Sequence, residues 1–377
     1  MLRTAPSAIL AAAVPAPLQS LSIAGFRSIR ELHDFPLRQL NVLVGANGAG
    51  KSNFVEFFRL LRAMFQENLQ NFVQQAGGGD GLFFEGPQVT REIKASLTFS
   101  KNTLRFTLDP IPGGDLLVKE IATKYDDFGW NRGPGGREAN IAVWKDHRSA
   151  HGPWRSTLGH THAAVSSWVV YHFHDTSSLA PMRRDGAIDD HAELRPQGDN
   201  LAAFLRRLRE THPARYQRIR ETIQIVAPFF DDFLLEPRRK GAAEHVRLDW
   251  RQKGSTFPYQ PWQLSDGTIR FIALTAALLQ PEPPSTLLVD EPELGLHPVA
   301  LGVLAALIHE VSSSTQVIVS TQSPLLVDEF SAEDVVVVRR DGAASVFERL
   351  AAPDLERWLD EYTLGDLIRK NVVETGP

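Results

Sequence analysis

The stretch Gly45-Ala46-Asn47-Gly48-Ala49-Gly50-Lys51-Ser52 restricts what this chain can fold into more than any other. It satisfies G-x-x-x-x-G-K-[ST] without a gap, a loop that belongs between a strand and a helix. Both flanks are present. Gln39 to Val44 is an apolar run of strand length, and from Asn53 to Arg62 the apolar residues recur at helical spacing. A phosphate chain must lie against backbone N–H groups, so side chains have to be absent. Gly45, Gly48 and Gly50 permit that approach and the dihedrals it needs. The following helix aims its N-terminus at the anion. Lys51 then reaches the β- and γ-phosphates, and the Ser52 hydroxyl is placed for Mg²⁺. A plain glycine-rich turn before a helix is the alternative, and the strand and helix on either side weigh against it.

The rest of the chain narrows the class. Its 377 residues suit one large domain or two ordinary ones, and 43% hydrophobic residues provide a sizeable core. The net charge of −5 gives no overall electrostatic sign of nucleic-acid binding. There is no cysteine, which excludes disulfides, a thiolate nucleophile and a cysteine zinc site, and fits a cytoplasmic protein. No apolar run reaches the roughly 18 residues of a membrane helix. An apolar stretch near the start is interrupted by Pro6, Pro15 and Pro17, so residues 1–18 read as a flexible extension rather than an export signal.

Going along the chain, residues 19–110 read as the N-terminal part of an α/β unit. It contains a strand pair, the loop-bearing strand and helix, and a hairpin turning at Ser100-Lys101-Asn102. Residues 111–260 read as an insertion or lid, loop-rich between Asp126 and His162. It continues with a strand at Ser167 to Phe173, helices over Leu201 to Arg209 and Ala214 to Val226, and a small layer of strands. Residues 261–350 return to strong apolar elements, and 351–377 form a helical tail. The expected fold class is α/β, with a mixed central sheet, an antiparallel lobe and the helical, loop-rich insertion.

Two further motifs bear on chemistry. Leu287-Leu288-Val289-Asp290-Glu291 is a buried strand ending in two acids. A strand-end Asp in such proteins holds Mg²⁺, so Asp290 takes that role with Ser52. The acid beside it, Glu291, is placed to orient or deprotonate an attacking water. Leu264-Ser265-Asp266-Gly267-Thr268 opens a helix with a hydroxyl and free N–H groups, a second anion site that suggests two molecules closing over one nucleotide. Taken alone it is an ordinary helix cap. The histidines at 147, 151, 160, 162, 172 and 174 are irregularly spaced and read as solvated or core residues. Arginines between Arg206 and Arg220 suit either a phosphate-binding face or a solvated helix surface.

These motifs, in this order, resemble the ABC-type ATPase heads of the RecF, SMC and OLD group, and most of all the compact AAA-type, RecF-like ATPases. The likeness runs through Gly25-Phe26-Arg27-Ser28-Ile29, Asn47, the stretch Leu264 to Phe271, and Asp290 to Pro298. It extends to Tyr171 to Thr176 and Trp358 to Tyr362, covering nearly everything from about residue 19 onward. The resemblance implies ATP and Mg²⁺ as ligands and an ATP-dependent homodimer. Ser265 and Gly267 of one subunit would then meet the γ-phosphate held by Lys51 of the other. Glu293 to Pro298 would cross the dimer seam. Arg27 would stand near the nucleotide, and Ala46, Asn47, Ala49 and Asn53 complete the phosphate-contacting set. One departure stands out. Where many such heads carry a switch histidine, this chain has Gln322, which donates a hydrogen bond but carries no charge. The expected function is an ATP-hydrolysing switch acting in DNA repair or recombination. The alternative is a regulatory subunit that controls a partner effector of a defence or toxin system.

Overall fold

Two six-stranded sheets carry the molecule in the computed structural model, which describes residues 16–146, 153–241, 243–351, 358, 361–370 and 372. In chain order, β1 (Ser20–Phe26), β2 (Ile29–Pro36) and β3 (Leu40–Val44) lead to α1 (Lys51–Phe65) and α2 (Leu69–Gln75). A meander follows, β4 (Ile93–Phe99), β5 (Asn102–Ile111), β6 (Asp115–Tyr125) and the two-residue β7 (Asn131–Arg132). Next come α3 (Ile141–Asp146), α4 (Pro153–Ser167), β8 (Val169–Tyr171), β9 (Gly186–Ala187), α5 (Leu201–Thr211) and α6 (Pro213–Val226). Short strands β10 (Phe230–Leu234), β11 (Arg238–Lys240), β12 (Ala243–Val246) and β13 (Asp249–Gln252) precede α7 (Asp266–Leu278) and β14 (Thr286–Asp290). The described elements end with α8 (Pro298–Ser312), β15 (Gln316–Thr321), α9 (Pro324–Val327), β16 (Val335–Asp341), β17 (Ala344–Arg349) and α10 (Leu364–Arg369).

The two sheets read differently because they are buried differently. The first, ordered β2-β1-β4-β5-β6-β7, is antiparallel and alternates buried with partly exposed residues, as in β4. The second, ordered β17-β16-β3-β15-β14-β8, is parallel except for β17. Its strands β3, β14 and β15 are buried at every position, as expected for a sheet covered on both faces.

The two-residue repeat of the strands divides the core into layers. Val42, Val44, Leu287, Val289, Val317 and Val319 face the helices α5 to α8. Leu43, Leu288, Ile318 and Val338 face the other way, onto α1 and the antiparallel sheet. Helix α1 is buried on most of its surface because it is sandwiched between the two sheets. Phe57 stacks near Phe106 of β5 at 6.3 Å, and Phe54 meets Phe347 of β17 at 5.3 Å.

The stretch read as a loop-rich insertion differs from that reading. Residues 153–167 form α4, whose Leu158, Ala164 and Val165 enter the same core as α1. Trp168 follows it, fully buried, 5.1 Å from Phe58. The glycine and polar residues of α4 hide a helix that is held by its buried side rather than by its composition. The expected insertion or lid, 111–260, pairs with strands on either side of it in the chain. It supplies β6 to the antiparallel sheet and β8 to the edge of the parallel one. Most of the extension 1–18 and of the tail 351–377 lies outside the described residues, as do His147 and His151.

Candidate nucleotide site

Parallel strands end at a common edge, so the segments that follow them meet there. The glycine-rich loop follows β3, Gln322 follows β15, Asp290-Glu291 closes β14, and His172 to His174 follow β8. These four strands are consecutive neighbours in the sheet. One cleft is lined by Asn47, Gly48, Gly50, Lys51, Ser52, Asn53, Glu291 and Gln322.

The loop's glycines divide the task unequally. A Cβ on Gly48, at φ +78, meets nothing within 4 Å, so this position faces open space. A Cβ on Gly45 would lie 2.2 Å from the Val338 carbonyl oxygen. One on Gly50, at φ +115, would lie 2.0 Å from Ser345 Oγ. Those two glycines are required first by the packing of the loop on β16 and β17. Ser345 Oγ donates to the Ala49 carbonyl at 2.6 Å and accepts from Ser28 Oγ at 2.7 Å, and Asn53 Nδ2 donates to Ser28 Oγ at 2.6 Å. Asn53 is thus tied into the wall of the loop, and Ala49 is buried. Gly50 caps α1 without a side-chain hydrogen bond, which leaves the first-turn N–H groups open to an anion. The buried Lys51 ammonium donates to the carbonyls of Gly45 at 2.7 Å and Ala46 at 3.1 Å. Burial pulls its pKa below the ordinary lysine value, against the attraction of Glu291, Asp290 and Glu293.

The acids opposite are held by β15. Glu291 sits at φ +45, a conformation costing about 1–3 kcal/mol in a non-glycine residue, and its N–H donates to Ser320 O at 2.7 Å. Gln322 Nε2 donates to Glu291 Oε1. Glu293 is half-buried, its Oε1 accepting from Thr321 Oγ1 at 2.6 Å and from Gln322 N at 2.9 Å. Glu293 therefore sets the backbone that presents Gln322. A lone acid after an Asp-Glu pair carries no such signal in sequence. Asp290 is buried with Oδ1 unpaired by any hydrogen bond. Burial would raise its pKa, but the facing His172 and Ser320 and the charge of His174 hold it below the ordinary aspartate value. A buried carboxylate with an unpaired oxygen, one residue before Glu291 of the cleft that Ser52 lines, is a donor type that fits Mg²⁺.

Arg27, Ser265 and Gly267 are not among the residues lining the cleft. Arg27, at the turn between β1 and β2, pairs with Glu56 at 3.6 Å and does not line the cleft. Ser265 caps α7, accepting from Thr268 N at 3.1 Å, and is exposed. A Cβ on Gly267 would lie 2.2 Å from the Gly295 carbonyl, so this glycine lets the loop after β14 close onto α7 within the same chain. Two arginines unforeseen from sequence lock this region. Arg270 donates to Phe173 O at 2.8 Å, to His174 O at 3.0 Å and to Leu294 O. Buried Arg183 donates to Asp266 Oδ1 at 2.8 Å and to the carbonyls of Thr176, Pro261 and Leu264.

Known proteins resemble the chain in both sequence and fold. The family described as "AAA domain, putative AbiEii toxin, Type IV TA system" matches residues 40–328. An OLD nuclease of Thermus scotoductus is 25% identical over 350 residues, 86% of this chain, and the chain spans 62% of that relative's length. An SMC head bound to the C-winged helix domain of ScpA has a TM-score of 0.60 at 17% identity, covering 90% of this chain and 99% of its own. An SMC head domain with an extended coiled coil, bound to the C-terminal domain of ScpA derived from Pyrococcus furiosus, has a TM-score of 0.53 at 16% identity, covering 92% and 99%. At such identities the SMC likeness establishes the fold, an ABC-type P-loop head with a mixed sheet. With three quarters of its length matched, the chain belongs to the AAA domain family just described, as a P-loop ATPase of the RecF, SMC and OLD group.

Proposed function

We propose that this protein binds and hydrolyses ATP as a dimeric switch, two copies closing over nucleotide and reopening after hydrolysis. The reading is supported above all by one observation: Lys51 and Ser52 share a cleft with Glu291 and Gln322, residues from the far end of the chain. In this reading the free N–H groups at the start of α1 and the Lys51 ammonium hold the phosphates. Lys51 leaves the carbonyls of Gly45 and Ala46 to do so. Ser52 and Asp290 hold Mg²⁺, which when bound neutralises charge on the β- and γ-phosphates. Glu291 accepts the proton of the attacking water, and Gln322 orients the Glu291 carboxylate through its side-chain amide. Residues 19–110 and 261–350 act as two parts of one head, with 111–260 framing the cleft through β8. Ser265 and Gly267 close the site from the second copy.

Replacing Lys51 by Ala should abolish ATP binding measured by calorimetry. Glu291→Gln should keep binding and lower turnover by roughly 10²-fold or more. Unchanged turnover in Glu291→Gln would remove Glu291 from the role of base.

What the switch drives is proposed in two forms. The first is a task on DNA in repair or recombination, which the resemblance of the motifs to RecF-like heads implies. The family description and the nuclease relative favour control of an effector in a defence or toxin system. Gel-shift titration with duplex and single-stranded DNA separates them: binding in no nucleotide state would sink the first.

A further inference from the structure

Past the end of β8 the extended chain sends alternate side chains to opposite sides. Tyr171 and Phe173 go into the core, their rings stacked at 5.4 Å. His172 and His174 go the other way and lie ring to ring at 3.7 Å. Because Tyr171 pairs with Val289 in the parallel register, the two histidines arrive beside Asp290. His172 Nδ1 stands 3.6 Å from Asp290 Oδ2, and His174 Nε2 stands 3.0 Å from the Asp290 carbonyl oxygen. One ring nitrogen of each histidine and one carboxylate oxygen lie within 4.8 Å of one another, and among the described residues this is the only such group.

An ordinary hydrogen bond accounts for the contact of His174 with the Asp290 carbonyl, but not for that of His172 with the Asp290 carboxylate. At 3.6 Å the His172–Asp290 contact is too long, and both His172 Nδ1 and Asp290 Oδ1 are buried without a hydrogen-bond partner. Buried polar atoms are rarely left so. The backbone is also fixed in place, since Arg270 donates to the carbonyls of both Phe173 and His174. A small contraction around one ion, at about 2.0–2.2 Å to each donor, would use the unpaired atoms.

We propose that His172, His174 and Asp290 form a binding site for a divalent transition-metal ion of the Mn²⁺, Co²⁺ and Zn²⁺ class. The donor types decide the class. Mg²⁺ prefers oxygen ligands and retains its waters, whereas imidazole nitrogen suits transition ions. The proposal rests on the reading of Asp290 as a cation ligand at the nucleotide cleft and deepens it. The two imidazole nitrogens favour a transition ion at this carboxylate, which then takes the place given above to Mg²⁺ between Ser52 and Asp290.

The test is titration of Co²⁺ into the chelator-treated full chain without nucleotide, followed by visible absorption. One equivalent should bind with d–d bands that survive a 100-fold excess of Mg²⁺. His172→Gln and His174→Gln should each weaken binding at least about tenfold. Lys51→Ala should leave Co²⁺ binding unchanged while losing ATP. In the unaltered chain, Co²⁺ binding without any ATP binding would sink the ATP reading alone. Co²⁺ held no more tightly than Mg²⁺, or unaffected by either glutamine variant, overturns the proposal. Should the variants misfold, pulsed EPR of Mn²⁺ on the unaltered chain decides: ¹⁴N coupling from imidazole upholds the site, and oxygen-only coordination rejects it.

Discussion

Glu293 is the residue at which structure and titration meet most directly. Burial is the largest influence on it and raises its pKa above the ordinary 4.5, reinforced by the neighbouring Glu291 charge. Its bonds from Thr321 and Gln322 oppose that shift without cancelling it. The folded chain therefore keeps a proton that the unfolded chain has already released. Stability should fall as pH rises from 4.5 through the raised folded value. Glu293→Gln still accepts from Thr321 and Gln322 but cannot titrate. Thermal melting between pH 4 and 8 should show a flatter dependence in the variant from 4.5 upward, whatever its melting temperature at neutral pH. Parallel curves for the two proteins would show that the Glu293 charge is not what sets the slope.

Within the loop and helix, Gly48 and Gly50 make opposite predictions. Gly50→Ala forces a Cβ into Ser345 Oγ at a backbone angle reserved for glycine, and should cost about 3 kcal/mol or more by chemical denaturation. Gly48→Ala has room for its methyl and should cost only about 1–2 kcal/mol of backbone strain. That methyl points to where phosphate would lie, so ATP affinity should drop more than stability does. Equal stability losses would mean that the loop does not brace against β17. The same element shows what sequence could not reveal. The motif alone assigns all three glycines to phosphate approach, yet two are needed by neighbours that come from β16 and β17. Helix α4 is illegible in sequence for a related reason: its apolar positions are sparse, and the core around Trp168 rather than its own periodicity holds it.

For the whole molecule the proposed switch turns on the second copy. Ser265 is exposed at the start of α7 while also capping it. Aspartate caps a helix as well as serine does. Ser265→Asp should therefore keep stability within about 0.5 kcal/mol and place a negative charge against the phosphate of a facing subunit. In a Glu291→Gln background, light scattering with ATP should show dimer for Glu291→Gln alone and monomer once Ser265→Asp is added. A dimer that persists in both would remove Ser265 from the seam.

By itself the sequence determined the phosphate loop, the strand ending in Asp290 and Glu291, the capped helix at Ser265 and the α/β class. Each of these is written in a short run of neighbouring residues whose spacing has one physical use. Only the tertiary structure decided that Glu293 shapes Gln322, that Arg270 fastens two distant loops, that β8 brings His172 and His174 to Asp290, and that Arg27 answers Glu56. Those relations depend on which strands lie side by side at one edge of a sheet, and strand order follows from the burial of whole faces.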